Sequence, residues 1–188
     1  MVTSIDDVKN PLFWRSVAAE LLGTLFLVLV GAGSCIPWEK EYQPTIVQIA
    51  LCFGLIVATM VWCIGHVSGG HINPAITVAM LITRKVSVAK AVLYIIAQII
   101  GAMLGAGFLK GVTPSNFTGT LGATVPNDHI GPQQAFGVEF LITFVLVFTV
   151  FSSVDSKRDD LKGSAPLTIG LSVTVCHLWA VSTVCIAY

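Results

Sequence analysis

Long apolar runs alternate with short polar connections along this chain. Five of the runs are long enough to cross a bilayer as an α-helix, which takes about 20 residues. Only two formal charges, Glu20 and Glu139, fall inside them. The pattern predicts an all-α membrane protein with five transmembrane helices, at residues 17–36, 45–64, 91–109, 136–154 and 166–188.

Residues 65–83 interrupt this pattern, because they begin with the polar, glycine-rich stretch "GHVSGGHINPA". Cytoplasmic loops of membrane proteins carry an excess of Lys and Arg. If the N-terminus is cytoplasmic and this segment enters and leaves on the same side, eight of the ten Lys and Arg residues lie inside. Only Lys40 and Lys110 then lie outside. The charge pattern therefore predicts a re-entrant segment that does not cross the membrane.

The re-entrant segment carries the signals of a short helix. Asn73 suits the N-cap and Pro74 suits the first helical position, so a half-helix is expected to run back through residues 75–83. Its N-terminus would place a partial positive charge at the midplane, which repels cations. If capping does not consume its amide, Asn73 can also donate to a water oxygen and orient that water against proton relay.

Composition narrows the class of protein. Charged residues make up 11% of the chain, against about 25% in soluble domains, so the expected partner is a lipid bilayer. The net charge is zero, which gives no electrostatic reason to expect nucleic acid. No metal-ligand spacing, phosphate-binding glycine loop or nucleophile–base pair stands out. We therefore expect no cofactor and no enzymatic activity.

The apolar runs contain an internal repeat. The first and fourth runs share a Glu-x-x-x-Thr register at Glu20 and Glu139, and the second and fifth runs align Gly54 with Gly170. The number of crossings between the copies is odd, so the second copy is inverted, as in many membrane transport proteins. We expect a single domain over 1–188, with a first repeat at about 13–110 and a partial second repeat at about 131–188.

The repeat also predicts where a second half-helix would begin. The offset between Gly54 and Gly170 is 170 − 54 = 116 residues, and adding it to Asn73 gives position 189. The printed sequence stops at Tyr188. The second half-helix and a sixth span are therefore expected to be missing from this chain.

The sequence resembles the aquaporins, the major intrinsic protein family, over roughly residues 13–180. The likeness lies in "AELLGT", "HVSGGHINPA", "YIIAQIIGA", "GVEFLITF" and "GSAPLTIGLSV". It points to the water-selective animal-type branch, truncated at the C-terminus. It implies a water pore built from six spans and two half-helices per subunit, and assembly into tetramers.

The resemblance also implies roles for nine residues. Asn73, Pro74 and Ala75 match the family's first pore motif. Phe53 and His177 match its outer selectivity filter. The groups that support its loops are matched by His66, His71, Glu20 and Glu139. The family's second Asn-Pro-Ala-Arg motif, with the filter arginine, does not follow in this chain. Asn73 as a simple helix cap, and the two glutamates as proton carriers, are the alternatives to these roles.

The function expected from these observations is passive, osmotically driven water transport with proton exclusion. The alternative is a non-conducting truncated isoform that acts as an assembly or regulatory subunit. A homotetramer, or a mixed tetramer with full-length relatives, is expected in the plasma membrane with a cytoplasmic N-terminus. Asn116 begins an Asn-Phe-Thr glycosylation pattern in the predicted outer loop. Gly101 and Gly105, spaced as G-x-x-x-G, predict a close helix contact.

Overall fold

The computed structural model of the chain describes residues 8–39, 41–124, 129–158 and 164–184, with side chains described up to residue 181. Its regular structure is entirely helical within those ranges. In chain order the α-helices are α1 Pro11–Gly33, α2 Ile46–Ser68, α3 Pro74–Ile82, α4 Val88–Val112, α5 Pro132–Ser153 and α6 Ala165–Val184, with a 3₁₀ turn at Ser115–Phe117 before α5.

Four of the helices, α1, α2, α4 and α5, are long and apolar enough to cross a membrane. Helix α6 is also apolar, but its segment Ala165–Val181 is shorter than these four helices. The fifth predicted span runs to residue 188, and its last four residues lie outside the described part of the chain. The predicted order of spans and half-helix is therefore found, with α3 as the short helix between the second and third spans.

Polar N-caps make the spans longer than hydropathy predicts. Asn10 Oδ1 accepts from Leu12 N at 2.9 Å, so α1 begins six residues before the predicted start of the first span. Ser87 Oγ accepts from Lys90 N at 3.3 Å, and α4 begins three residues before its predicted start. Such caps satisfy backbone N–H groups that the first helical turn leaves without partners. They extend the spans beyond the strictly apolar core.

Small residues let the helices cross closely. The α1–α4 and α2–α6 pairs make the most extensive contacts. A Cβ built on Gly105 would lie 2.5 Å from Leu25 O of α1, and one on Gly101 would collide with Leu21 O. The close contact predicted from the G-x-x-x-G spacing is thus confirmed, since any side chain at either position would separate α4 from α1.

The α2–α6 crossing brings together the two glycines that align in the repeat. A Cβ on Gly54 would lie 2.5 Å from Gly170 O, and a Cβ on Gly170 would collide with Gly54 O. A contact between equivalent residues is compatible with the predicted inverted repeat, which stays a prediction.

Candidate functional site

The chain between α2 and α3 dips into the bundle. Helix α2 ends with Gly69 in the left-handed region, at φ 97°, where its N–H bonds to Gly65 O at 3.0 Å. The chain then reaches Glu20, the tenth residue of the 23-residue α1, and Gln98, the eleventh of the 25-residue α4. Both contacts lie halfway along a membrane-spanning helix. The predicted re-entrant path is therefore confirmed by its depth in the bundle.

Glu20 holds this loop by its backbone. The side chain is completely buried. Its Oε1 accepts from Ser68 Oγ at 2.6 Å and His71 N at 2.9 Å, and its Oε2 accepts from Ile72 N at 2.6 Å and Gln98 Nε2 at 2.9 Å. Four donors suit a carboxylate, whose two oxygens offer about four acceptor sites. The arrangement matches the bracing role predicted for Glu20 and leaves no oxygen turned to lipid.

A second set of polar contacts joins α3 and α4 to Glu20 and the loop. The polar side chains of both sets are called the brace below. Gln98 Nε2 also donates to Thr77 Oγ1 at 3.0 Å, and His71 Nδ1 lies 3.1 Å from the same oxygen. Tyr94 OH donates to Ser68 O at 2.8 Å, at the end of α2. Gln98 Oε1 is buried with no hydrogen-bond partner among the described residues. His71 thus lies within the polar contacts around the loop, and its support role stays a prediction.

Asn73 caps α3 with one side of its amide. Its Oδ1 accepts from Ala75 N at 2.8 Å, and Pro74 follows as the first helical residue. Among the described residues, nothing accepts a hydrogen bond from Asn73 Nδ2, and the side chain is half-buried. Capping therefore uses the oxygen and leaves the amide N–H groups available as donors, at the positive end of the half-helix.

Phe53 of α2 and His177 of α6, the two predicted filter residues, stack on each other. The ring centroids are 4.6 Å apart and the planes are inclined by 24°. His177 Nδ1 donates to Val173 O at 3.0 Å, which leaves Nε2 as the ring's other polar atom. Rings at this separation are in van der Waals contact, so no water fits between them.

Two predicted support residues are exposed. His66 lies in the last turn of α2 and has no hydrogen-bond partner within the described ranges. Glu139 on α5 is likewise without a partner in the described part of the chain. The support role of both residues stays a prediction. Asn116 is exposed in the 3₁₀ turn, and its glycosylation stays a prediction.

Four residues of the brace were not singled out from the sequence: Ser68, Thr77, Tyr94 and Gln98. Gln98 carried a usable signal, since a lone amide within the apolar run "YIIAQIIGA" needs a buried polar partner. Tyr94 and Ser68 carried a weaker signal, because both residue types are ordinary near span ends. Thr77 carried none, since a threonine in a short apolar helix commonly bonds to its own backbone.

The fold and the braced half-helix define a class of membrane channel, and sequence comparison agrees. Residues 7–187 match the sequence model of the family described as "MIP: Major intrinsic protein". The chain belongs to this family, which is a family of multi-pass membrane channels and not of enzymes. The family resemblance seen in the sequence is thereby confirmed.

Among its relatives are animal aquaporins. The chain is 54% identical to Aquaporin-4 of Mus musculus over 185 residues, which are 97% of this chain and 57% of that protein. It is 53% identical to Aquaporin-4 of Homo sapiens, with the same coverage, and 48% identical to Aquaporin-5 of Sus scrofa over 92% of this chain and 64% of that protein. The chain thus spans less than two thirds of the length of these relatives.

A solved structure shares the fold. The X-ray structure of the aquaglyceroporin from Plasmodium falciparum superposes with a TM-score of 0.81, over 92% of this chain and 74% of that one. The sequence identity is 21%, so the likeness concerns the fold alone. The prediction of an aquaporin-like all-α bundle is confirmed.

Proposed function

We propose that this chain forms a channel for passive, osmotically driven water movement that excludes protons. The observation that carries the proposal is the geometry of Asn73. Its Oδ1 caps α3 through Ala75 N, so its Nδ2 is free to donate to a water oxygen at the N-terminus of the half-helix. A donor held in this way supports selective contact with water at mid-depth in the bundle.

Proton exclusion follows from the same geometry. The N-terminus of α3 carries a partial positive charge, which raises the energy of hydronium and other cations there. A water whose oxygen accepts from Asn73 Nδ2 turns its own hydrogens outward, so it cannot accept a proton from the next water in the file. Glu20 holds the loop in place through the N–H groups of His71 and Ile72, which keeps the donor at one depth.

The Phe53–His177 pair combines a polar atom of the imidazole with the apolar surface of the phenyl ring. His177 is half-buried and turns Nδ1 to its own helix, so Nε2 is left to contact water. The Phe53 ring restricts the space beside it. We propose that this pair lines the outer constriction, with Pro74 and Ala75 shaping the inner one as the first residues of α3.

Osmotic shrinkage of proteoliposomes that contain only this chain tests the proposal. We expect faster shrinkage than in protein-free vesicles, without proton leak measured by an entrapped pH dye. Asn73→Ser retains a capping oxygen but loses the amide donor, so permeability should fall while the melting temperature stays within about 3 °C. Asn73→Asp should disturb permeation by adding charge. Shrinkage equal to protein-free vesicles, with intact incorporation, contradicts the proposal.

A second candidate function is that of a non-conducting assembly or regulatory subunit. It is favoured by the exposed Glu139, which in the described residues lacks a loop to brace, and by the contact between the Phe53 and His177 rings. We expect such a subunit to lower water uptake by cells when co-expressed with Aquaporin-4. Unchanged uptake at equal surface levels of Aquaporin-4 would argue against it.

Tetramer formation and cellular location belong to the same proposal. We propose a homotetramer, or a mixed tetramer with longer relatives, in the plasma membrane. The charge distribution, with exposed Arg84 and Lys85 after α3, supports a cytoplasmic N-terminus. Tags at the N-terminus and beside Asn116 should be accessible to antibody on opposite sides of the membrane, and a tag accessible on the wrong side would reverse the topology.

A further inference from the structure

The Phe53 ring rests directly on the backbone of α1. Gly31, a buried residue in the last turn of α1, faces one edge of the ring. A Cβ built on Gly31 would lie 2.6 Å from Phe53 Cε1, 2.9 Å from Cδ1 and 3.0 Å from Cζ. These distances are far below van der Waals contact, so even a methyl group at position 31 would displace the ring.

The helices on either side leave little freedom for another response. Cys52 Sγ, next to Phe53 in the sequence, bonds to Val30 O at 3.6 Å, which ties α2 to α1 at this level. Gly31 O accepts from Ser34 Oγ at 2.6 Å, which fixes the end of α1. Extra volume in a well-packed interior forces side chains off their rotamers or shifts the backbone, and here the backbone is tied at both positions. Added volume at position 31 would therefore act on the ring.

The same ring also stacks on His177. Because the two rings stack at 4.6 Å, a displaced Phe53 either separates from His177 or pushes it away from α1. In both cases aromatic volume leaves its place against α1 and enters the space beside the pair. The position of both rings therefore depends on the absence of a side chain at Gly31.

We propose that Gly31 is a positioning residue for the outer constriction: it seats the Phe53 ring against α1 and so keeps the path beside the Phe53–His177 pair open to water. This inference rests on the proposed water conduction. It assigns part of the selectivity to a residue that contacts no water and acts only through Phe53.

The test is a double-mutant cycle in the full chain, made of Gly31→Ala, Phe53→Ala and the double variant. Gly107→Ala is the matched control, since a Cβ at this exposed glycine of α4 meets nothing within 4 Å. Two quantities are measured for each: water permeability in proteoliposomes, and the melting temperature in detergent, which does not depend on conduction.

We expect Gly31→Ala to lower water permeability several-fold and the melting temperature by roughly 2–8 °C, as overpacking does in a chain of this size. Both losses should disappear when Phe53 is also alanine, because the methyl group then has no ring to displace. Phe53→Ala alone should admit urea or glycerol. Gly107→Ala should change neither quantity.

Equal losses from Gly31→Ala with and without the Phe53 ring would overturn the proposal, because Gly31 would then act through another neighbour. Unchanged permeability and melting temperature in Gly31→Ala would overturn it as well. If no variant, including the original chain, conducts water but the melting temperatures still show the coupling, the proposed function fails and the role in selectivity falls with it. The contact between Gly31 and Phe53 would then stand alone.

Discussion

Two glutamates in matching positions of the repeat have opposite environments. Glu20 and Glu139 both precede a threonine by four residues on an apolar helix. Glu20 is completely buried and accepts four hydrogen bonds, whereas Glu139 is exposed and has no partner in the described part of the chain. The helix sequence around a membrane carboxylate therefore does not determine whether the carboxylate is buried and hydrogen-bonded. The loop that supplies hydrogen-bond donors determines it.

The largest effect is expected from removing the brace itself. Glu20→Gln replaces one accepting carboxylate oxygen with an amide NH2 group, a donor that would face other buried donors, so unfolding free energy should fall by about 4 kcal/mol. Thermal or chemical unfolding in detergent, followed by circular dichroism, measures this. The matched control is Glu139→Gln, expected within about 0.5 kcal/mol of the original chain. Equal losses from the two variants would remove the contrast between the repeats.

An effect of opposite sign is expected on α5. An unpaired acid in a span costs about 2.5–3.5 kcal/mol on insertion scales, and leucine favours insertion. Glu139→Leu should therefore promote insertion of α5 by about 3 kcal/mol, which an insertion assay with glycosylation reporters on both flanks can read. Lower insertion, or a less stable folded chain, would mean that Glu139 has a partner and that the two repeats are more alike than their burial indicates.

A smaller loss is expected at Ser68, which links the end of α2 to the brace. Its hydroxyl donates to Glu20 Oε1 and accepts from Gly70 N at 3.0 Å. Ser68→Ala should cost about 2 kcal/mol, because Gly70 N loses its partner and Glu20 loses a donor. Ser172→Ala on α6 is the control, since within the described ranges its hydroxyl bonds only to Ile169 O of its own helix. Indistinguishable variants would argue that the loop holds without Ser68.

The smallest effect is expected at Gln98. Gln98→Met removes two donated bonds but also removes Oε1, a buried acceptor with no partner in the described residues. The loss and the gain are similar in size, so unfolding free energy should change by less than about 1 kcal/mol. Denaturant titration of the variant and of the original chain measures this difference in unfolding free energy. A loss as large as that from Glu20→Gln would make Gln98 an equal part of the brace.

Local chemistry was enough to predict much of the fold. Apolar length located the spans, the Asn73-Pro74 pair located the start of α3, and the distribution of Lys and Arg predicted that α3 returns to the side it entered from. These features depend on neighbours in sequence or on the solvent. The close α1–α4 crossing was readable for the same reason, because Gly101 and Gly105 mark one face of a single helix.

The remaining features depend on contacts between distant segments. Glu20 and Glu139 look alike in sequence, and only the position of loop donors separates them. The contact between the Phe53 ring and Gly31 depends on how closely α1 and α2 approach each other, which the sequence of neither helix specifies alone. Predicting the role of Gln98 would have required knowing that it contacts Glu20, which is 78 residues away in the sequence. Such partners are set by tertiary packing, which no single run of residues encodes.

The brace also implies an order of assembly during synthesis. Segments of a nascent chain become available from the N-terminus onward. The N–H groups of His71 and Ile72 can meet Glu20 as soon as the loop leaves the ribosome, but Gln98 follows Ile72 by 98 − 72 = 26 residues. Tyr94 and Gln98 can bond to Ser68 and Thr77 only after α4 has been synthesised. Insertion of α4 therefore completes the polar contacts around a loop that Glu20 can already hold.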